Sequence, residues 1–302
     1  LDAFQHVHTK LKELQEDLKE SFDVKLNQAN TLISQIADLN KQIRRIEAMG
    51  MHANDLRDQR DLLVDELSRL VPIDVEEDEQ SMYTIKLLHD GGTTDLVNGI
   101  NFWSLGDADK TKFVNANDHK GAIDLESIQG NGIGGELYSL WKAQNEVVQE
   151  YMNQVNHLFF SLVEQINDKH SDGYDLNNNT NIDFFTKVDP NTQISIGNIQ
   201  INNDILTNFS SIAAAKNPGG LAGDGALALE ISQLRYQKFT IGSMPDVSFD
   251  EYYRSILGAL GVETQEAQRQ TNNAQLILDS VEFRRQSVSG VSLDEEMANL
   301  VQ

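Results

Sequence analysis

A chain of 302 residues, 39% hydrophobic and 24% charged, has room for about two domains of ~150 residues and the polarity of a soluble protein. Its 24 Lys and Arg stand against 47 Asp and Glu, a formal charge of −23 that works against binding nucleic acid or anionic lipid, where clustered cations are needed. The chain has no cysteine, which excludes disulfides and thiolate chemistry; no apolar run approaches the ~18 residues of a membrane span, and no basic n-region of a signal peptide opens it.

The first segment reads as one long amphipathic helix. Phe4, Leu11, Leu18, Leu32, Leu39 and Ile46 fall on a seven-residue repeat interrupted only by Lys25. The partner positions are Val7 and Leu14, then Phe22, Ala29, Ile36 and Ile43; the change of offset near residue 20 predicts a drifting or bent seam. Gly50 is placed to end this helix, and Asn54 to cap a second one over 55–70, with Leu56, Leu63, Leu67 and Leu70 as its apolar stripe and Val71-Pro72 as its stop.

From Ile73 the period changes to that of strands. A strand is predicted over 82–88, a turn at Asp90-Gly91-Gly92 leading into a short strand, and a second turn at Asn98-Gly99 before 100–103. Another alternating run covers 122–126. Helix returns over 135–169, followed by an asparagine-rich stretch at 171–181 and short strands at 193–196 and 199–201. Pro218-Gly219-Gly220 and Gly223-Asp224-Gly225 lead into a helix over about 225–238. Ser248 and Glu251 form a capping box opening a helix that Gly258 and Gly261 are expected to weaken or bend before it resumes near Glu263 and runs to about Ser287. A last helix starts at Ser292, with capping-box partner Glu295 and with Asp294 and Glu296 in its first turn. The chain stops there without a C-terminal signal, so it reads as cut inside an element.

The pattern predicts an α+β fold: an elongated bundle of long helices drawn from both ends of the chain (1–72, 130–172 and 223–302), with a small β domain at 73–129 and a second small mixed insert at 173–222.

Little in the sequence points to chemistry. Gly130, Gly132 and Gly135 spell a dinucleotide-type G-x-G-x-x-G, but no strand ending in an acidic residue follows at the distance a ribose needs, so a strand-to-helix junction is expected. Asp175, Asn177 and Asn179 have calcium-loop spacing, yet Thr180 and Thr186 stand where glycine and glutamate belong, and a solvated loop is expected. The seven histidines are scattered, no catalytic motif occurs, and no catalytic residue, metal or cofactor is assigned. On 55–70, Arg57 with Asp61 and Asp65 with Arg69 are spaced as surface ion pairs. Arg60 instead falls within the apolar stripe, either as a snorkelling side chain or as a contact to a carboxylate on another helix or subunit.

Two stretches resemble one family. Asn54-Asp55-Leu56-Arg57-Asp58-Gln59-Arg60-Asp61-Leu62-Leu63-Val64-Asp65-Glu66-Leu67-Ser68, preceded by 36–43, and the C-terminal stretch of 249–262 with 284–300 are similar to flagellar hook-associated protein 1, the first junction protein between hook and filament. The last stretch by itself also resembles other flagellar axial proteins, and the Asp-Gln-Arg-Asp-Leu-Leu string singles out the junction protein. The resemblance implies a non-enzymatic structural subunit, exported by the flagellar type III route to the extracellular flagellum without a cleaved signal. It further implies terminal assembly segments beyond this core. Its implied partners are copies of itself, the hook protein, the filament-side hook-associated protein and an export chaperone. Asp58, Arg60, Asp61, Arg284, Arg285, Asp294, Glu295 and Glu296 are the candidate interaction residues, with an intramolecular core role for the same strings as the alternative. Another flagellar axial protein, or a carboxylate-rich glycan- or calcium-binding module, are the competing readings.

Overall fold

The computed structural model describes residues 1–89, 92–106, 112–113, 123–124, 134–188, 195–219 and 223–289. The chain divides into two compact units, Leu1–Val155 with Ser195–Gly197, and Asn156–Ile194 with Asn198–Gln302. Several sequence expectations fall outside the described residues: the Asp90-Gly91 turn, Gly130 and Gly132, most of 122–126, Gly220, and the helix from Ser292 that carries Asp294, Glu295 and Glu296.

In the first unit, helix α1 (Asp2–Glu47) follows the predicted repeat. Its stripe is deeply buried only from Phe22 onward, through Leu26, Ala29, Leu32, Ile33, Ile36, Leu39 and Ile43. Gly50, at φ +80°, takes the left-handed conformation that turns the chain after α1. Helix α2 (Asn54–Leu70) begins one residue earlier than expected, and Asn54 is not its cap. The buried Ala53, packed with Leu39 and Ile43, supplies the carbonyl that accepts from the Leu56 and Arg57 N–H groups, so burial rather than a polar side chain sets this start.

Strands β1 (Ile73–Glu77), β2 (Tyr83–His89), β3 (Gly92–Asn98) and β4 (Asn101–Phe102) form an antiparallel meander in the order β1-β2-β3-β4. The acidic β1 had no counterpart in the periodicity, because three of its five side chains are carboxylates on a sheet edge. Between Ile85 and Lys86 the register slips: Ile85 faces Val97, Lys86 faces Asp95, and Leu96 is the extra residue. The bulge lets the adjacent Leu96 and Val97 both be buried, joining Ile85 and Leu87 in the core against α1. Strands β5 (Lys112–Phe113) and β6 (Ile123–Asp124) pair antiparallel.

The predicted single helix over 135–169 is interrupted. Helix α3 (Gly135–Lys142) gives way to a π-turn, Ala143–Val147, before helix α4 (Val148–Ser171). In that turn Asn145 Nδ2 donates to the Trp141 carbonyl at 2.9 Å, and Gln15 of α1 donates to the Gln144 carbonyl at 3.2 Å. Carbonyls loosened by the wider turn thereby find side-chain donors. Leu137, Tyr138 and Trp141 of α3 complete the core formed by α1, α2 and the sheet.

In the second unit, strand β7 (Phe185–Lys187) pairs with β8 (Ile199–Ile201), followed by helix α5 (Asn203–Thr207), helix α6 (Ala226–Gln233), the hairpin β9 (Phe239–Ile241) and β10 (Met244–Val247), and helix α7 (Phe249–Ser289). The strand expected at 193–196 is corrected at its described end, where Ile196, counted with the first unit, opens a 3-10 turn. The helix expected over 225–238 is shorter, closing in a 3-10 turn at Leu234–Tyr236. At α7 the capping box forms as predicted, with Ser248 N–H donating to Glu251 Oε2 at 2.8 Å and Glu251 N–H to Ser248 Oγ at 3.2 Å. Gly258 and Gly261 do not break α7, which is continuous across both. Glycine costs a helix only about 1 kcal/mol relative to alanine, too little to stop a 41-residue element.

Candidate functional site

The apolar stripe of α2 carries Arg60 inward between Leu56 and Leu63, and the β1–β2 hairpin passes over it. Arg60 is fully buried, so the snorkelling expectation is corrected: its head does not reach water. Nη1 donates to Asn40 Oδ1 at 3.0 Å and to the Ser81 carbonyl at 2.6 Å, and Nη2 lies 3.6 Å from Glu77 Oε1 on β1. The guanidinium carbon sits 3.4 Å from the centre of the Tyr83 ring. A desolvated cation over an aromatic face contributes about 2 kcal/mol. Nε has no hydrogen bond.

Asn40 of α1, also fully buried, is the hub. Its Nδ2 donates to the carbonyls of Tyr83 at 2.9 Å and Gly99 at 2.7 Å, while its Oδ1 accepts from the Tyr83 N–H at 3.0 Å as well as from Arg60. The amide thus uses two donors and two acceptor directions, its full capacity. Tyr83 in turn donates its hydroxyl to Asp61 at 2.8 Å. Burial, then the bond to Asp61, raises the Tyr83 phenol above its ordinary range.

Beside this core, Arg57 grips Glu47 with two parallel bonds of 2.7 and 2.8 Å and reaches Glu77 at 2.9 Å. The surface pair expected between Arg57 and Asp61 is therefore replaced, since Glu47 of α1 and Glu77 of the hairpin take Arg57 and Tyr83 takes Asp61. Arg57 first, and the Ser81 hydroxyl second, hold the Glu47 carboxyl at about 2. Apart from Arg60 Nε, the donors and acceptors named in the cluster are spent on one another. The arrangement clamps α1, α2 and the hairpin together.

Two further asparagines repeat the Asn40 device. In the first unit, Asn30 of α1 exchanges bonds of 2.9 and 2.6 Å with the carbonyl and N–H of Leu105. In the second, Asn167 of α4 does the same with Phe185 at 2.8 Å each way. Each side-chain amide imitates a strand neighbour and so fixes a helix to an otherwise unpaired strand-like edge. His170, buried near Asn167, bonds through Nδ1 to the Ile182 carbonyl at 2.6 Å and accepts the Ala213 N–H at Nε2 at 2.9 Å, which fixes the tautomer protonated on Nδ1. These residues were missed in the sequence, although Asn40, three or four positions from Ile36, Ala37 and Ile43, visibly falls on the buried stripe.

The other candidates are scattered. Asp58 is exposed on α2 and Asp61 half-buried; Arg284 and Arg285 are exposed on α7. Gly135 serves a close approach: at φ +70°, a Cβ there would lie 2.5 Å from the Leu70 carbonyl oxygen. Asp175 turns its carboxylate into its own loop, accepting the N–H groups of Asn177 and Asn179 at 2.8 and 2.7 Å and the Asn179 side chain at 3.0 Å. Burial pushes this carboxyl up, and the bonds from Asn179 and Asn177 together bring it below its ordinary value. Among the described residues no group of three or more His, Cys, Asp or Glu could hold a metal ion, and no helix is long and apolar enough to cross a membrane.

Residues 1–185 match the family model described as the flagellar hook-associated protein FlgK helical domain. Flagellar hook-associated protein 1 of Bacillus subtilis (strain 168) is 27% identical over 327 residues, covering 100% of this chain and 64% of its own length. The protein of the same name from Salmonella typhimurium is 31% identical over 169 residues, covering 54% of this chain and 30% of its own. The chain thus spans less than two thirds of the length of these relatives. Among solved structures, the flagellar hook junction protein FlgK from Burkholderia pseudomallei shares the fold, with a TM-score of 0.52 and 24% identity over 61% of this chain and 34% of that one.

Proposed function

Because this chain belongs to the FlgK family of flagellar hook-associated proteins, matched over residues 1–185, we propose that it works as a structural subunit of the junction between flagellar hook and filament. The family match is the observation that carries this reading. The buried Arg60 cluster supports it, since a joint that transmits torque needs helices and sheet held in one geometry. The partners are copies of the same protein, the hook protein on one side, the filament-side hook-associated protein on the other, and an export chaperone before assembly. The site of action is the extracellular flagellum, reached by the flagellar type III route, and the work is mechanical rather than enzymatic.

The chain contributes two compact units, the first built on one core shared by helices α1 to α3 and the β1–β4 sheet. The exposed Asp58, Arg284 and Arg285 are its candidate subunit contacts, joined by Asp294, Glu295 and Glu296 farther along, whereas Arg60 and Asp61 act within the subunit. The test is complementation. The full reading frame, expressed in a strain lacking its junction protein, restores attached filaments, and the charge reversals Asp58→Arg and Arg284→Glu reduce attachment without loss of secretion. Secreted full-length protein that leaves filaments unattached would refute the reading.

A further inference from the structure

The end of α4 carries a histidine closed off from water. His170 is 1% exposed, and its ring stands edge-on to Phe184 with ring centres 5.4 Å apart. Nδ1 lies 2.6 Å from the Ile182 carbonyl, and Nε2 accepts the Ala213 N–H at 2.9 Å. Neither partner can change role, because a carbonyl only accepts and a backbone N–H only donates. The site therefore fits a neutral ring. A second proton would sit on Nε2, facing the Ala213 N–H, and would leave a buried charge without an acceptor.

Ala213 is where a strap of chain meets the end of α4. Beside it, the N–H groups of Ala214 and Ala215 both donate to the Tyr174 carbonyl at 3.2 Å, and the Tyr174 N–H donates to the Ala215 carbonyl at 2.9 Å. The Ala214 carbonyl takes the Leu227 N–H at 3.0 Å as α6 begins. Gly173 shows how closely these pieces fit: a Cβ there would lie 3.1 Å from that of Ala213 and run into Leu227. The imidazole thus holds together the end of α4, the Ile182 segment and the strap that leads toward α6.

Charged side chains on the surrounding segments leave the ring to its backbone partners. Lys169 and Lys216 both face Glu230, and the Asp175 carboxylate is taken by its own loop. Asp168, Asp172 and Asp183 are exposed, where solvent and salt screen them. Among the described residues neither these groups nor the Tyr174 hydroxyl bonds to the imidazole.

We propose that His170 is an acid-operated latch in the second unit: a proton on Nε2 displaces the Ala213 N–H and frees the Ala213–Ala215 strap from α4. The closed strap holds the neutral ring. Once the strap opens, the ring meets water and takes a proton near pH ~6.5, as exposed imidazoles do. Opening therefore binds a proton. The latch is at full strength above about pH 6.5 and weakens about tenfold for each pH unit below it. In the first unit the Glu47 contribution is lost only below pH 4.5, so mild acid leaves that clamp in place. The latch belongs to the folded chain itself and does not depend on the junction reading.

The test is amide hydrogen exchange in the full-length protein at about pH 7 and about pH 5, corrected for the intrinsic pH dependence of exchange, with the His170 ring nitrogens followed by NMR. The expected result is a loss of protection of about twentyfold at Ala213, Ala215 and Tyr174, while the Tyr83 N–H of the first unit keeps its protection. His170→Gln, which takes no proton in this range, abolishes that pH dependence. Should the variant fail to fold, the unaltered protein decides: the ring protonated on Nδ1 gives way to the doubly protonated ring in step with the loss at Ala213. Equal protection of Ala213 at both pH values overturns the latch. So does a ring that takes its second proton while Ala213 stays protected, or an unchanged pH dependence in His170→Gln.

Discussion

Asn40 holds Tyr83 by both its N–H and its carbonyl, at 3.0 and 2.9 Å, from a helix 43 residues away in sequence. A helix and a strand cannot ordinarily share backbone hydrogen bonds. A buried side-chain amide solves the problem by offering one donor and one acceptor side by side. Arg60, resting on the Tyr83 ring and bonded to the same Asn40 oxygen, then locks α2 to the pair.

Replacing Asn40 is therefore the more damaging change in this cluster. Asn40→Leu leaves the Tyr83 N–H and the carbonyls of Tyr83 and Gly99 buried without partners, and costs about 3 kcal/mol or more. Arg60→Met keeps the packed stem and removes the buried charge altogether, so it costs less than Asn40→Leu. Urea denaturation of the two variants beside the parent protein gives the order. The opposite order would mean that the arginine, not the amide, organises the cluster.

Glycine to alanine substitutions at two positions differ in sign. Gly135→Ala forces an L residue into φ +70° and a Cβ to 2.5 Å from the Leu70 oxygen, and destabilises by about 2 kcal/mol or more. Gly258→Ala, in the interior of α7 with open space around it, stabilises by about 0.5–1 kcal/mol. Thermal unfolding followed by circular dichroism separates the two.

Glu47 makes stability depend on acid. Its carboxyl is depressed in the folded chain from 4.5 to about 2, so the folded state favours the ionised form. The contribution is fully present above pH 4.5 and is lost as the pH falls through about 2. Urea midpoints measured between those values fall with acidification, and Glu47→Gln flattens that part of the profile. An unchanged slope in the variant would show that other carboxylates govern the window.

Features built from neighbouring residues were legible in the sequence. The Ser248–Glu251 box and the seven-residue repeat of α1 depend on spacing along one helix; the box formed as predicted, and the repeat did from Phe22 onward, with Val7 and Leu14 left exposed. Arg60 was legible by half. Its place on the apolar stripe of α2 follows from helical spacing, but the burial of its head depends on Ser81, Tyr83 and Glu77 of a hairpin folded over it. The slip at Leu96 and the π-turn at Ala143–Val147 left no sign, because each depends on partners in other elements.

The division has a physical cause. Turn chemistry, caps and apolar periodicity act over three to seven residues, so the chain specifies its long helices, about half of its strands and its family resemblance locally; β1, β7 and the β9–β10 hairpin carried no such signal. Which polar groups are buried, and with what, depends on contacts across tens of residues. Only packing α1, α2 and the β1–β2 hairpin together made an arginine on the apolar stripe, with its head free to reach water, into the centre of the first unit's polar core, through an asparagine that no motif had marked.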